Sequence, residues 1–123
     1  MAEALARHHC GEQVAAASAG INPLGFVARE TLEVLAEIGV ATAGLRSKGL
    51  EEIELSQCRL AVNLTDYSLD HLLPRTFPGR LLHRPVFDPR EDYRRTRDVL
   101  QLLITREISP ALLADGSEPA SLA

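Results

Sequence analysis

A chain of 123 residues, 46% hydrophobic and 24% charged, has the length of one domain and the composition of an ordinary globular protein. Thirteen basic and seventeen acidic residues leave a net charge of −4, which argues against a nucleic-acid partner. Two cysteines, Cys10 and Cys58, make no disulfide framework and share no metal-ligand spacing with the four histidines. No early segment reads as a secretory leader, and no stretch approaches the ~20 apolar residues of a membrane span. The expectation is a reduced, cytoplasmic domain with no cofactor and no membrane partner.

Residues 1–9 are strong helix formers, with Ala2, Leu5, Ala6 and His9 along one side. No capping residue precedes them, so the helix reads as one entered part-way. Residues 13–17 (QVAAA) read as a short strand, and the loop after it holds Ser18-Ala19-Gly20, Asn22-Pro23 and Gly25. No Gly-x-Ser-x-Gly elbow surrounds Ser18, which is expected to be a turn residue rather than a nucleophile.

Residues 27–38 present Val27, Thr31, Leu32, Val34, Leu35 and Ile38 on one helical face, and Gly39 is placed to end that helix. Ser47 can cap a short helix to about residue 55. Residues 59–64 (RLAVNL) predict a buried strand, 66–73 a further short helix, and 80–86 (RLLHRPV) a last strand closed by Pro85. Asp88-Pro89 opens the longest predicted helix, to residue 108, with Tyr93, Thr96, Leu100, Leu103, Ile104 and Ile108 facing inward. On its other side Arg90, Arg94, Arg95 and Arg97 alternate with Glu91, Asp92 and Asp98, the pattern of a solvated, internally paired face. The segment after Pro110 is small and polar, and a disordered tail over 110–123 is expected behind a single domain over 1–109. Alternation of this kind predicts an α/β fold, three layers deep, with a small parallel sheet between helices. His8, His9, His71 and His83 have no companions at ligand spacing and are expected to be surface or hydrogen-bonded side chains.

Six stretches in order then resemble one family: Met1-Ala2-Glu3-Ala4-Leu5-Ala6-Arg7, Ala17-Ser18-Ala19-Gly20, residues 32–40 (LEVLAEIGV), Arg46-Ser47-Lys48, Phe77-Pro78-Gly79 and Asp88-Pro89. The chain is similar to the low-molecular-weight phosphotyrosine phosphatases and the related thioredoxin-coupled arsenate reductases. The resemblance implies a four-stranded parallel sheet in the order 2-1-3-4. It also implies a C-x5-R-[ST]-P loop whose cysteine attacks phosphorus to form a cysteinyl-phosphate. In that family the Met-Ala-Glu-Ala stretch follows this loop, so the first strand and the loop are expected to be missing here. The residue six places after Cys10 is Ala16, and six after Cys58 is Leu64, so neither cysteine satisfies the pattern. Both are expected to be small, partly buried side chains.

Asp88 matches the family's general acid, which protonates the leaving aryl oxygen. Taken as residues alone, Asp88-Pro89 reads rather as an N-cap with proline at the first helical position, and it is the resemblance that sets the general acid beside that reading. Mammalian members carry aromatic residues just after this pair, where this chain has Arg90, Glu91 and Asp92. The resemblance implies phosphorylated proteins or small aryl phosphates as partners once a nucleophile loop is supplied, and no activity for 1–123 without one. The alternatives are an arsenate reductase of the same fold or a non-catalytic binding module. For the sheet, loss of an inner strand predicts either direct pairing of 13–17 with 59–64 or a molten or self-associated chain with exposed strand edges.

Overall fold

A computed structural model describes residues 1–11, 14–20, 25–68, 77–86 and 89–114. Helix α1 spans Ala2–Cys10 and α2 spans Arg29–Ala36. Two short strands follow, β1 at Leu60–Asn63 and β2 at Arg80–His83, and then α3 at Tyr93–Leu103. A single π-helical stretch at Ile104–Ile108 joins α3 to α4 at Ser109–Ala114.

The strands are parallel and in register from Leu60 opposite Arg80 to Asn63 opposite His83. β1 is buried along its whole length, as a continuous apolar run in a parallel sheet requires. Hydrogen bonding continues past β2, because the Arg84 and Val86 N–H groups donate to the Asn63 and Leu64 carbonyls. Pro85, which has no N–H, falls between those two donors, where its loss breaks no bond to β1. Gly79 is required by close approach: a Cβ there would lie 2.6 Å from both the Cys58 and Arg59 carbonyl oxygens. Both obstacles are backbone, so they cannot swing aside. Gly79→Ala is expected to cost about 1–3 kcal/mol of stability by urea unfolding. A loss under a few tenths would show that the β1–β2 entrance adjusts freely.

One core runs through the domain. Leu5 of α1, Leu35 of α2, Val62 of β1 and Ile104 of the π-helical stretch are all fully buried, and α3 packs against both α1 and α2. The inward face expected for the last helix is the observed one, with Thr96, Leu100, Leu103, Ile104 and Ile108 buried. Gly39 ends α2 at φ 73°, which lets the Val40 N–H reach back to the Leu35 carbonyl. At the same corner Glu37 accepts three bonds from Arg94 and one from Arg97, tying α2 to α3.

Several expectations are corrected. Residue 13 lies outside the described residues, and 14–17 form no strand. Val14 and Ala16 are buried in the same apolar cluster as Leu60 and Val62, yet no backbone hydrogen bond joins the two segments among the described residues. The segments therefore meet through side chains, and the direct pairing proposed for them is absent. The one parallel contact nearby is an isolated bridge between Gly20 and Gly49.

The expected helix over 47–55 resolves into two 3-10 turns, Leu50–Glu52 and Leu55–Gln57. Ser47 does not cap it, since its hydroxyl accepts the Gly25 N–H at 3.0 Å instead. The last helix begins at Tyr93, later than expected, with Asp92 as its N-cap accepting the Arg95 N–H at 3.0 Å. It then continues past Pro110 to Ala114, with Leu112 buried, so the tail expected from 110 begins inside a helix. The π-helical stretch explains how. Proline removes a donor and collides with the carbonyl four residues back, and widening the turn ahead of it relieves that conflict. The Ser109 N–H accordingly donates to Ile104, five residues back. Of the short helix expected over 66–73, residues 69–73 lie outside the described residues, and 66–68 are not helical, with 66 and 67 in a bend.

Candidate active-site cleft

A cleft of about 670 Å³ opens at the carboxyl ends of β1 and β2. Five segments meet there: 18–20 after α1, 26–28 leading into α2, 46–48, the turn 64–67 after β1, and 89–90 leading into α3. The carboxyl ends of parallel strands are where α/β folds place ligands, because loops of both strands and helix starts converge there.

Glu3 ties two of these segments to α1. It lies on the buried side of that helix and is 1% exposed. Its Oε1 accepts the Ser18 N–H at 2.8 Å, the Ser18 hydroxyl at 3.1 Å and the Lys48 ammonium at 2.9 Å. Arg7 Nη1 stands 2.9 Å from Oε2 as an ion pair without hydrogen-bond alignment. Burial by itself would raise this carboxyl, but Lys48, the Ser18 N–H and Arg7 outweigh it and hold Glu3 below the usual carboxylate range. Lys48 completes the frame through its backbone, since its carbonyl accepts the Gly20 N–H at 2.9 Å.

The turn after β1 is fixed by Asn63, 1% exposed. The Asn63 Oδ1 accepts the Thr65 N–H at 2.9 Å and the Thr65 hydroxyl at 2.7 Å, while its amide donates to the Tyr67 carbonyl. The Tyr67 N–H donates to Thr65 Oγ1 at 3.2 Å, and His83 Nε2 donates to the Thr65 carbonyl at 2.7 Å. His83 is thus a hydrogen-bonded side chain, as expected of it. His9 lies 3.3 Å from the Gln101 side chain, and no metal-ligating cluster occurs among the described residues.

Neither cysteine lines this cleft. Cys58 is buried before β1, at the other end of the strand, where its thiol donates to the Glu54 carbonyl at 3.4 Å. Cys10 closes α1 and packs on the core. Asp88 and His71 lie outside the described residues. The residues flanking position 88, Val86 and Pro89, do line the cleft. Ser18 sits at the cleft in an irregular segment rather than a turn, and donates to Glu3, a partnership the sequence reading missed. The available signal was an acidic residue between Ala2 and Ala4 on a helix whose apolar side includes its neighbours.

A parallel-stranded α/β domain with its cleft at the strand ends is thus the class that fold and site define. The family model for low molecular weight phosphotyrosine protein phosphatase matches residues 1–101, and the chain belongs to that family. Among solved structures the fold is similar to "An arsenate reductase in the reduced state", with TM-score 0.70 and 19% identity. That alignment covers 93% of this chain and 86% of the other. No curated protein matches the chain. No helix among the described residues is long and apolar enough to cross a membrane.

Proposed function

We propose that this domain serves phosphotyrosine hydrolysis rather than arsenate reduction, and that the 1–123 polypeptide by itself does not turn substrate over. The observation that carries the proposal is the separation of cleft from thiols. Segments 18–20, 26–28, 46–48, 64–67 and 89–90 frame the cleft, while Cys10 and Cys58 both lie away from it. Hydrolysis through a cysteinyl-phosphate needs a thiolate and a cradle of N–H donors at the cleft, which a C-x5-R loop supplies. No such pattern occurs within 1–123. Arsenate reduction needs further cysteines to relay a disulfide, and the segment after Leu64 (TDYSLDHLLPR) contains none.

Asp88 is the proposed general acid. The competing role of capping the long helix belongs to Asp92, which takes the Arg95 N–H. Two free thiols favour a reducing, cytoplasmic setting, with phosphorylated proteins or small aryl phosphates as the partners.

Purified 1–123 protein is expected to release p-nitrophenol from p-nitrophenyl phosphate no faster than buffer. Turnover that vanadate inhibits would overturn this reading, and Cys10→Ser and Cys58→Ser variants would then identify the thiol responsible.

A further inference from the structure

A second hollow, of about 420 Å³, lies at the amino ends of β1 and β2, the opposite end of the sheet from the cleft. Its walls are Ser56 and Gln57 before β1, Arg59 and Arg80 at the strand starts, and Ala111 and Leu112 of α4. Leu60 and Leu112, 3% and 5% exposed, give it an apolar floor.

Two local departures from regular structure build this hollow. Proline ordinarily ends a helix, but the π-helical stretch ahead of Pro110 carries α4 on and sets Ala111 and Leu112 beside the start of β1. The strand starts are drawn together at Gly79, where a Cβ would lie 2.6 Å from the Cys58 and Arg59 carbonyl oxygens. The Arg80 N–H donates to the Arg59 carbonyl at 2.9 Å, so the two arginine side chains leave backbone that one bond holds together.

The charge of the lining is of one sign. Arg59 and Arg80 line the hollow, and among the described residues no acidic side chain does. Glu54, the nearest acid before β1, accepts the Ser56 hydroxyl at 3.3 Å and is not part of the lining. The Cys58 thiol does line it, but donates to the Glu54 carbonyl at 3.4 Å and so is not the group that selects a ligand. A guanidinium carries five N–H donors in a planar fork that meets a carboxylate at two points, and the remaining donors can serve another partner at the same time. The volume and the mixed lining suit a small molecule that is apolar at one end and anionic at the other.

We infer that this hollow binds a small organic carboxylate, its apolar body on Leu60 and Leu112 and its carboxylate against Arg59 and Arg80. The site is separate from the cleft, and the inference does not depend on how the cleft is read. A carboxylate held there touches both α4 and the strand starts, so it stabilises the folded chain by mass action.

The test is an amide-resolved NMR titration of 1–123 with benzoate. Benzamide, which keeps the ring without the charge, and acetate, which keeps the charge with little apolar body, are titrated in parallel. Benzoate is expected to bind roughly 3-fold or more tightly than either, shifting residues 56–60, 79–80 and 111–112 and leaving 18–20 and 64–67 in place. Arg59→Gln and Arg80→Gln should each weaken benzoate roughly 3- to 10-fold while leaving benzamide unchanged. Arg80 is exposed, so its variant retains the fold whatever the half-buried Arg59 contributes to stability. Arg84→Gln, which removes an exposed arginine paired with Glu107 outside the hollow, should change nothing. Benzoate should also raise the melting temperature of the parent chain more than that of Arg80→Gln. Benzamide or acetate binding as tightly as benzoate, shifts confined to 18–20 and 64–67, undiminished benzoate affinity in Arg80→Gln, or no saturable binding by the folded chain would each overturn the inference.

Discussion

In a form of this domain carrying a C-x5-R loop, Asp88→Asn is expected to lower kcat roughly 10²–10⁴-fold for substrates with poor leaving groups. The physical reason is the leaving oxygen. A phenolate of high basicity departs slowly unless a proton reaches it as the P–O bond breaks, whereas p-nitrophenolate departs readily without one. The loss should therefore shrink steeply as the leaving group improves. A uniform loss across leaving groups would mean that position 88 supports the structure rather than delivering a proton. The cap of α3 is Asp92, so Asp88→Asn should leave thermal stability nearly unchanged, while Asp92→Ala should cost about 1 kcal/mol.

The second large effect concerns Glu3. Glu3→Gln keeps the shape of the side chain but leaves the Lys48 ammonium, 10% exposed, without its counter-charge. Removing one partner of a buried pair costs about 3–5 kcal/mol, because the other charge stays desolvated. Total domain stability is only ~5–15 kcal/mol, so the variant should show a large fall in urea midpoint. Replacing both partners, as Glu3→Leu with Lys48→Met, should recover most of the loss. A small effect of Glu3→Gln would mean that water reaches the pair.

The same carboxylate predicts a pH dependence. Its folded-state pKa lies below the ordinary value, so the unfolded chain binds more protons between the two. Its contribution is complete at neutral pH, begins to decline as pH falls through the ordinary carboxylate range, and is gone below the depressed folded value. Glu37 and Glu52 are also lowered, by Arg94 and Arg46 first. The difference between parent and Glu3→Gln isolates the buried group from these exposed ones.

Much of the architecture was legible because it is local. Apolar spacing located α1, α2, α3, β1 and β2 within a few residues, and named five of the inward positions of the last helix. Patterning does this because each element must turn one face to the core whatever its neighbours are. The six ordered stretches were legible for a related reason. Some of them carry geometry that few residues satisfy, such as Gly79 where two carbonyls stand 2.6 Å from a Cβ.

What pattern could not provide was pairing. Residues 14–17 have the composition of a strand, but a strand is defined by a ladder to a neighbour, and no ladder to them exists among the described residues. Likewise the sequence offered Asp88 beside its proline as the cap of the last helix, whereas α3 is capped by Asp92, which accepts the Arg95 N–H. Pro110 read as a terminator until a π-helical stretch carried the helix through it. The cleft is the clearest case. Glu3, Ser18 and Lys48 are 15 and 45 residues apart, and Phe26 and Tyr67 come from different loops. By itself the sequence determined the class of fold, the core face of α2 and of the last helix as far as Ile108, and the absence of a C-x5-R pattern from 1–123, since each depends on residues close in the chain. Only the tertiary structure decided which acid is buried, which aspartate caps the helix and which rings share one cleft, since those depend on segments that meet solely through folding.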